Sequence, residues 1–189
     1  LTINRVGGVD DRLSESRSHD ITYCVSQSSF GSRYNTVVSA MANAAGAWEA
    51  AGDLEYVHLS QFDGNCNASQ SGVFFDVRQT SQTSFLARAF FPSSSRSSRN
   101  VLISTSAFGN ISPWSMTGIL RHELGHTVGF RHEHIRAPGN PCPEGGSARA
   151  VTAYDSSSVM HYPQCNGTQN GDLVLTNLDR QGTAAVYGP

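Results

Sequence analysis

His122-Glu123-Leu124-Gly125-His126-Thr127-Val128-Gly129-Phe130-Arg131-His132 is the stretch that decides the reading of this chain. It has the form H-E-x-x-H-x-x-G-x-x-H. Two histidines four residues apart lie on one face of a helix, so both imidazoles reach one metal ion. Glu123 follows His122 directly and projects into the same cleft without ligating. There it can hold a water against the ion and take its proton. Gly129 permits a sharp turn, because glycine adopts positive φ without steric cost. His132 then swings back as a third ligand. Three protein ligands leave a fourth position open, which is the arrangement of a catalytic rather than a structural zinc site. A bare H-E-x-x-H arises by chance in many chains. The glycine and the third histidine at fixed offsets cut that chance sharply. His134 falls outside the spacing and reads as a solvated loop residue.

The residues downstream sharpen the reading. Ser158-Val159-Met160-His161-Tyr162 places a methionine 28 residues after His132. The extended motif with a methionine turn resembles the metzincin clan of zinc endopeptidases. S-x-M-H-Y, Gly-Phe-Arg-His-Glu around His132, and the end from Leu178-Asp179-Arg180 to Val186-Tyr187-Gly188 resemble its astacin branch. The opening His-Glu-Leu-Gly-His is also similar to a bacterial astacin-like subfamily. Animal astacins carry an acidic stretch after the third histidine, and here Ala137-Pro138-Gly139-Asn140-Pro141-Cys142-Pro143 replaces it.

The resemblance is specific over about residues 113–189 and implies an α+β, metzincin-like fold. Its upper lobe, residues 1–129, would hold a mixed twisted sheet and two helices, with the motif helix as the cleft floor. Its lower lobe, residues 130–189, would be mostly loops with a C-terminal helix. The two would form one catalytic domain. The resemblance further implies a single Zn2+ on His122, His126 and His132, with Glu123 as general base. Met160 would pack below the metal, and Tyr162 would donate a hydrogen bond to the developing oxyanion. Glu133 would contact the amino group of Leu1 if Leu1 is the mature end.

Composition bounds the alternatives. The chain has 189 residues, 13 basic and 15 acidic, for a net charge of −2. That balance gives no support to nucleic-acid binding. Every basic residue is arginine, which excludes a lysine Schiff base and a P-loop lysine. No apolar run approaches the roughly 18–20 residues that cross a bilayer, so no membrane association is expected. Cys24, Cys66, Cys142 and Cys165 lack C-x-x-C spacing, so disulfides are favoured over thiolate metal binding. Four cysteines allow three pairings. Cys142–Cys165, which bracket one segment after the zinc motif, and Cys24–Cys66 in the first half are the favoured ones. Disulfides and a polar, processed-looking start imply a secreted, extracellular protein, read as a monomer acting on polypeptides.

Along the chain, residues 1–19 read as irregular. Strands are expected at Ile21–Val25, Leu54–Leu59, Val73–Val77, Leu86–Phe91 and Val101–Ser104. Helical periodicity runs from Tyr34 to Ala51. A second helix should open at Ser112-Pro113 and run to Gly129, with residues 133–175 as loop and a last helix at about Asn177–Val186. Leu86–Phe91 is the candidate edge along which an extended peptide would lie. Asp63-Gly64-Asn65-Cys66-Asn67 reads as a turn, because Ala68 and Phe74 stand where a calcium loop needs Gly and Glu. His19 and His58 read as structural or solvated. Two other readings stay open, a zinc hydrolase of a small amide and a non-catalytic module that uses zinc only as a staple.

Overall fold

The computed structural model describes residues 1–139 and 141–189, so Asn140 in the stretch after His132 lies outside the described residues. Among the described residues there are nine strands: β1 (Thr2–Val6), β2 (Val9–Asp10), β3 (Ile21–Val25), β4 (Tyr56–His58), β5 (Phe75–Thr80), β6 (Ala87–Arg88), β7 (Asn100–Ser104), β8 (Phe130–Arg131) and β9 (Ser147–Ala150). The α-helices are α1 (Glu15–Ser18), α2 (Gln27–Phe30), α3 (Tyr34–Glu49), α4 (Met116–Thr127) and α5 (Asn177–Tyr187).

The larger sheet has the order β4-β3-β5-β7-β6. β4, β3, β5 and β7 are parallel, and β6 closes one edge antiparallel to β7. Parallel neighbours need a crossover, and α3 supplies it between β3 and β4. Alternation along β3 divides its side chains. Ile21, Tyr23 and Val25 enter the main core with α3, while Cys24 joins Cys66 and Val73 in a small cluster. The main core continues through α3 into α4. Trp48 of α3 stacks on Phe130 at 5.5 Å, and its indole N–H donates to the Arg121 carbonyl at 2.8 Å. This contact sets the height of α4 against the sheet.

The first residues depart from expectation. Residues 1–19 are not irregular, because β1 pairs with β2 and β8 and, along its other side, with β9. Leu1, Thr2 and Ile3 are fully or almost fully buried. The polarity of this segment conceals its burial. Thr2 Oγ1 donates to Glu133 Oε2 at 2.8 Å, and Asn4 Nδ2 donates to Asp11 Oδ2 at 2.8 Å. Buried polar groups are tolerated when so paired. Thus β1 packs with the chain beyond Gly129, and β9 lies within a segment expected to be loop.

The start of α4 also differs. Its N-cap is Ser115, whose side chain accepts the Gly118 N–H at 3.0 Å. Ser112-Pro113 precedes it in a turn closed by Trp114 N–H to the Ile111 carbonyl. Both serines satisfy the cap pattern, and the turn through Pro113 leaves the second to do it. The helix ends at Thr127 rather than at Gly129. The strand expected at Leu86–Phe91 is ordered as sheet only at Ala87–Arg88. The one expected at Val73–Val77 runs Phe75–Thr80. Both favoured disulfides, Cys24–Cys66 and Cys142–Cys165, are formed.

Candidate active site and metal centre

His122 and His126 project from α4 one turn apart. The helix then caps at Val128, and Gly129 takes φ +93°. A Cβ at Gly129 would overlap the Asp11 carbonyl oxygen. Gly129 is therefore required twice, for its positive φ and for the close approach of residue 11. β8 carries the chain back, and His132 follows it directly.

The three imidazoles converge through Nε2. His132 Nε2 lies 3.1 Å from His122 Nε2 and 3.2 Å from His126 Nε2. Each Nδ1 is turned outward to an oxygen. His122 Nδ1 donates to the Val159 carbonyl at 2.8 Å, His126 Nδ1 to the Phe130 carbonyl at 2.7 Å, and His132 Nδ1 to Glu144 Oε1. Carbonyl and carboxylate oxygens only accept, so each Nδ1 carries the proton of its ring. Burial pushes His122 and His126 down to about 3 and His132 down to about 4, so all three are neutral. Three Nε2 lone pairs then face one another with no proton between them. A cation among them would satisfy all three lone pairs at once. Two nitrogens at about 2.0–2.1 Å from zinc in tetrahedral geometry lie roughly 3.3–3.4 Å apart, close to the spacing seen. The donor set therefore fits zinc, and these residues form a group able to hold a metal ion.

Glu123 is buried beside the centre, and desolvation raises its carboxyl to about 8. A divalent cation on the histidines would draw that value back down. Glu123 and Tyr162 line cavities on both sides of the centre. One, of about 300 Å³, is walled by Leu86, Trp114, Ile119 and Leu173. The other, of about 260 Å³, is bounded by Arg88, Phe91, Arg131 and Glu144. The segment around the edge strand β6 contributes to both, so the cleft runs along the strand expected to border it.

The methionine turn lies under α4. Met160 is fully buried, and a Cβ at Gly125 would overlap its sulfur and come within 2.8 Å of Trp48 Cζ2. Gly125 thus lets the turn approach the helix at the level of the histidines. Asp179, on α5, holds the turn. Its Oδ1 accepts Ser158 Oγ at 2.6 Å, and its Oδ2 accepts the Val159 N–H at 2.8 Å and the Thr176 N–H at 2.9 Å. Val159 then presents its carbonyl to His122. Two residues past Met160, the Tyr162 ring packs on His122 at 5.2 Å and on His132 at 4.3 Å. Burial pushes its phenol well above the usual range, so it remains a donor.

His134 corrects the sequence reading. It is buried rather than solvated, and its Nε2 lies 3.0 Å from Glu144 Oε1. Glu144 and Asp179 were not singled out. Asp179 had a local signal, since Thr176-Asn177-Leu178-Asp179 forms a capping box. Glu144 had none, because its partners lie 10 and 12 residues away across a loop. Glu133 is fully buried, and its Oε2 lies 3.7 Å from the Leu1 amino nitrogen, as the resemblance implied. Thr152 and Arg136 complete that cluster. Asp63 is a buried acceptor for Val25 N–H and His58 rather than part of a calcium loop.

Comparison with known proteins agrees with this geometry. Residues 12–171 match the family described as dual-action HEIGH metallo-peptidases. No curated protein matches the chain. Among solved structures, that of myroilysin is similar with a TM-score of 0.68 at 17% identity, covering 100% of this chain and 99% of that one. High choriolytic enzyme 1, a hatching enzyme zinc-protease from the medaka fish Oryzias latipes, gives a TM-score of 0.53 at 18% identity over 88% of each chain. These likenesses bear out the α+β metzincin-type fold. The chain belongs to the dual-action HEIGH metallo-peptidase family and is a zinc-dependent metalloendopeptidase acting on polypeptides.

Proposed function

We propose that His122, His126 and His132 hold the catalytic zinc through Nε2, that Glu123 is the general base and acid, and that Tyr162 is an oxyanion donor. The observation that carries this reading is the convergence of three unprotonated Nε2 atoms, that of His132 lying 3.1 Å from His122 and 3.2 Å from His126, beside a buried carboxyl group. A bound zinc ion supplies Lewis-acid polarisation of the scissile carbonyl and acidifies a water. Glu123 orients that water, accepts its proton and passes it to the leaving amine. The Tyr162 phenol donates to negative charge that develops on the carbonyl oxygen. Met160 supports the histidines from below by packing alone. Backbone groups at β6 receive the peptide as an added extended segment.

The cleft continues on both sides of the centre, which favours a polymer over a small amide. A staple site would close the fourth position with another ligand, and the neighbouring His134 is engaged through Nε2 by Glu144. The whole chain acts as one catalytic domain with the cleft between two lobes. The two disulfides favour an extracellular protein, and no described helix is long and apolar enough to cross a membrane. Casein digestion with a chelator control tests the activity, and metal analysis tests the site. One zinc per chain is expected, and Glu123→Gln should retain it while hydrolysis falls about 10²–10⁴-fold. Full activity in the chelated protein, or more than a tenth of the rate in Glu123→Gln, overturns the assignment.

A further inference from the structure

We propose that Glu144 is a positioning residue for the centre, one that fixes the tautomer and ring plane of His132 and is itself locked by Arg131, His134 and the Cys142–Cys165 bridge. This rests on the reading of His122, His126 and His132 as the zinc ligands.

The three histidines are not held alike. His122 and His126 ride on α4, and their Nδ1 atoms meet main-chain carbonyls of Val159 and Phe130. Those acceptors are part of the backbone and cannot turn away. His132 lies beyond the Gly129 turn, outside the helix, and its Nδ1 meets a side chain from a loop 12 residues on. It is the ligand least constrained by its own element, and it alone has a charged acceptor. A carboxylate there keeps the proton on Nδ1 and the lone pair of Nε2 facing the other two rings. It also makes the imidazole a stronger donor than a neutral carbonyl does.

A carboxylate rotates, so it serves this role only if it is held. Glu144 Oε2 lies 3.3 Å from Arg131 Nη2. Glu144 Oε1 accepts His134 Nε2–H as well as His132 Nδ1–H. The Tyr162 main-chain N–H points at His134 Nδ1 at 3.5 Å, which leaves Nε2 as the protonated nitrogen of that ring. The His134 ring packs against both of the other two, stacked on His132 at 4.8 Å and on Tyr162 at 4.9 Å. Cys142, two residues before Glu144, is bridged to Cys165, three residues after Tyr162. The bridge therefore ties the loop with the carboxylate to the segment with the phenol. This explains why His134, outside the ligand spacing, is buried.

The test measures zinc affinity by competition with a chromophoric chelator, on folded protein, for wild type and Glu144→Gln. Glutamine keeps the size of the side chain but not its charge. The expected result is one zinc per chain in both, with affinity about 10–100-fold weaker in the variant. Equal affinity, with wild type binding one zinc tightly, overturns the positioning role. Failure of wild type to bind zinc overturns the ligand assignment instead. A second readout needs no variant. In zinc-loaded wild type the ring N–H proton of His132 should resonate as Nδ1–H, downfield of those of His122 and His126. Assignment of that proton to Nε2 overturns the inference even if Glu144→Gln fails to fold. So does a second zinc ion in wild type that is lost in Glu144→Gln, which would make Glu144 and His134 ligands.

Discussion

Asp179→Ala should destabilise the protein strongly, although the residue lies on α5 and outside the ligand set. Its side chain is fully buried. The substitution removes the acceptor of Ser158 Oγ at 2.6 Å, of Val159 N–H at 2.8 Å and of Thr176 N–H at 2.9 Å. A hydroxyl can rotate toward another acceptor, but a main-chain N–H cannot. A buried donor left without a partner costs about 1–3 kcal/mol. Two such groups and the lost hydroxyl bond, at about 1 kcal/mol, give about 3–7 kcal/mol. For a chain of this size that lowers Tm by roughly 6–28 °C. Asp179→Asn should cost less, about 1–2 kcal/mol, because one amide oxygen in the Oδ2 position still serves both N–H groups. Zinc affinity should fall in Asp179→Ala as well, since Val159 presents its carbonyl to His122 Nδ1. Urea denaturation of wild type and both variants reads the ranking. An alanine variant within 1 kcal/mol of wild type, or an asparagine variant as unstable as alanine, would refute the idea that this carboxylate holds the methionine turn.

Three further outcomes can be measured. Tyr162→Phe keeps the ring stacked on His122 but removes the donor, so kcat should fall about 10²–10³-fold with KM and zinc content little changed. A wild-type rate would make the tyrosine structural. In zinc-free protein, His122 and His126 are held down to about 3 and His132 to about 4, against 6.5 when unfolded. The unfolded chain then binds more protons across that window, so stability falls as pH drops below about 6.5. Glu123, raised to about 8, acts in the opposite sense, but three groups outweigh one. Chelator-treated protein should therefore have a lower urea midpoint at pH 5 than at pH 7, and an equal or higher one counts against the buried neutral histidines. Replacing Cys24 and Cys66 by serine opens a link across a sequence separation of 42 and should cost about 4 kcal/mol by loop entropy, read as a shift of the denaturation midpoint.

The centre of this protein was legible in its sequence because it is local. His122, Glu123, His126, Gly129 and His132 lie within eleven residues, and helical spacing plus one positive-φ turn accounts for their convergence. The methionine turn, the two disulfide pairs and the helices at Tyr34–Glu49 and Asn177–Tyr187 were legible for similar reasons, through short motifs, even cysteine count and periodicity. What tertiary structure decided was the partner of each polar group. Thr2 and Asn4 look like surface residues until Glu133 and Asp11 meet them, and so the first strand looked irregular. His134 looked solvated because Glu144, which accounts for its burial, approaches across a loop with no fixed spacing. Gly125 filled an unspecified position of the motif, yet Met160 and Trp48 leave no room there for a side chain. Periodicity reports which face of an element is apolar. It carries no information on which distant donor and acceptor the topology will set opposite each other, and that pairing is what makes burying them possible.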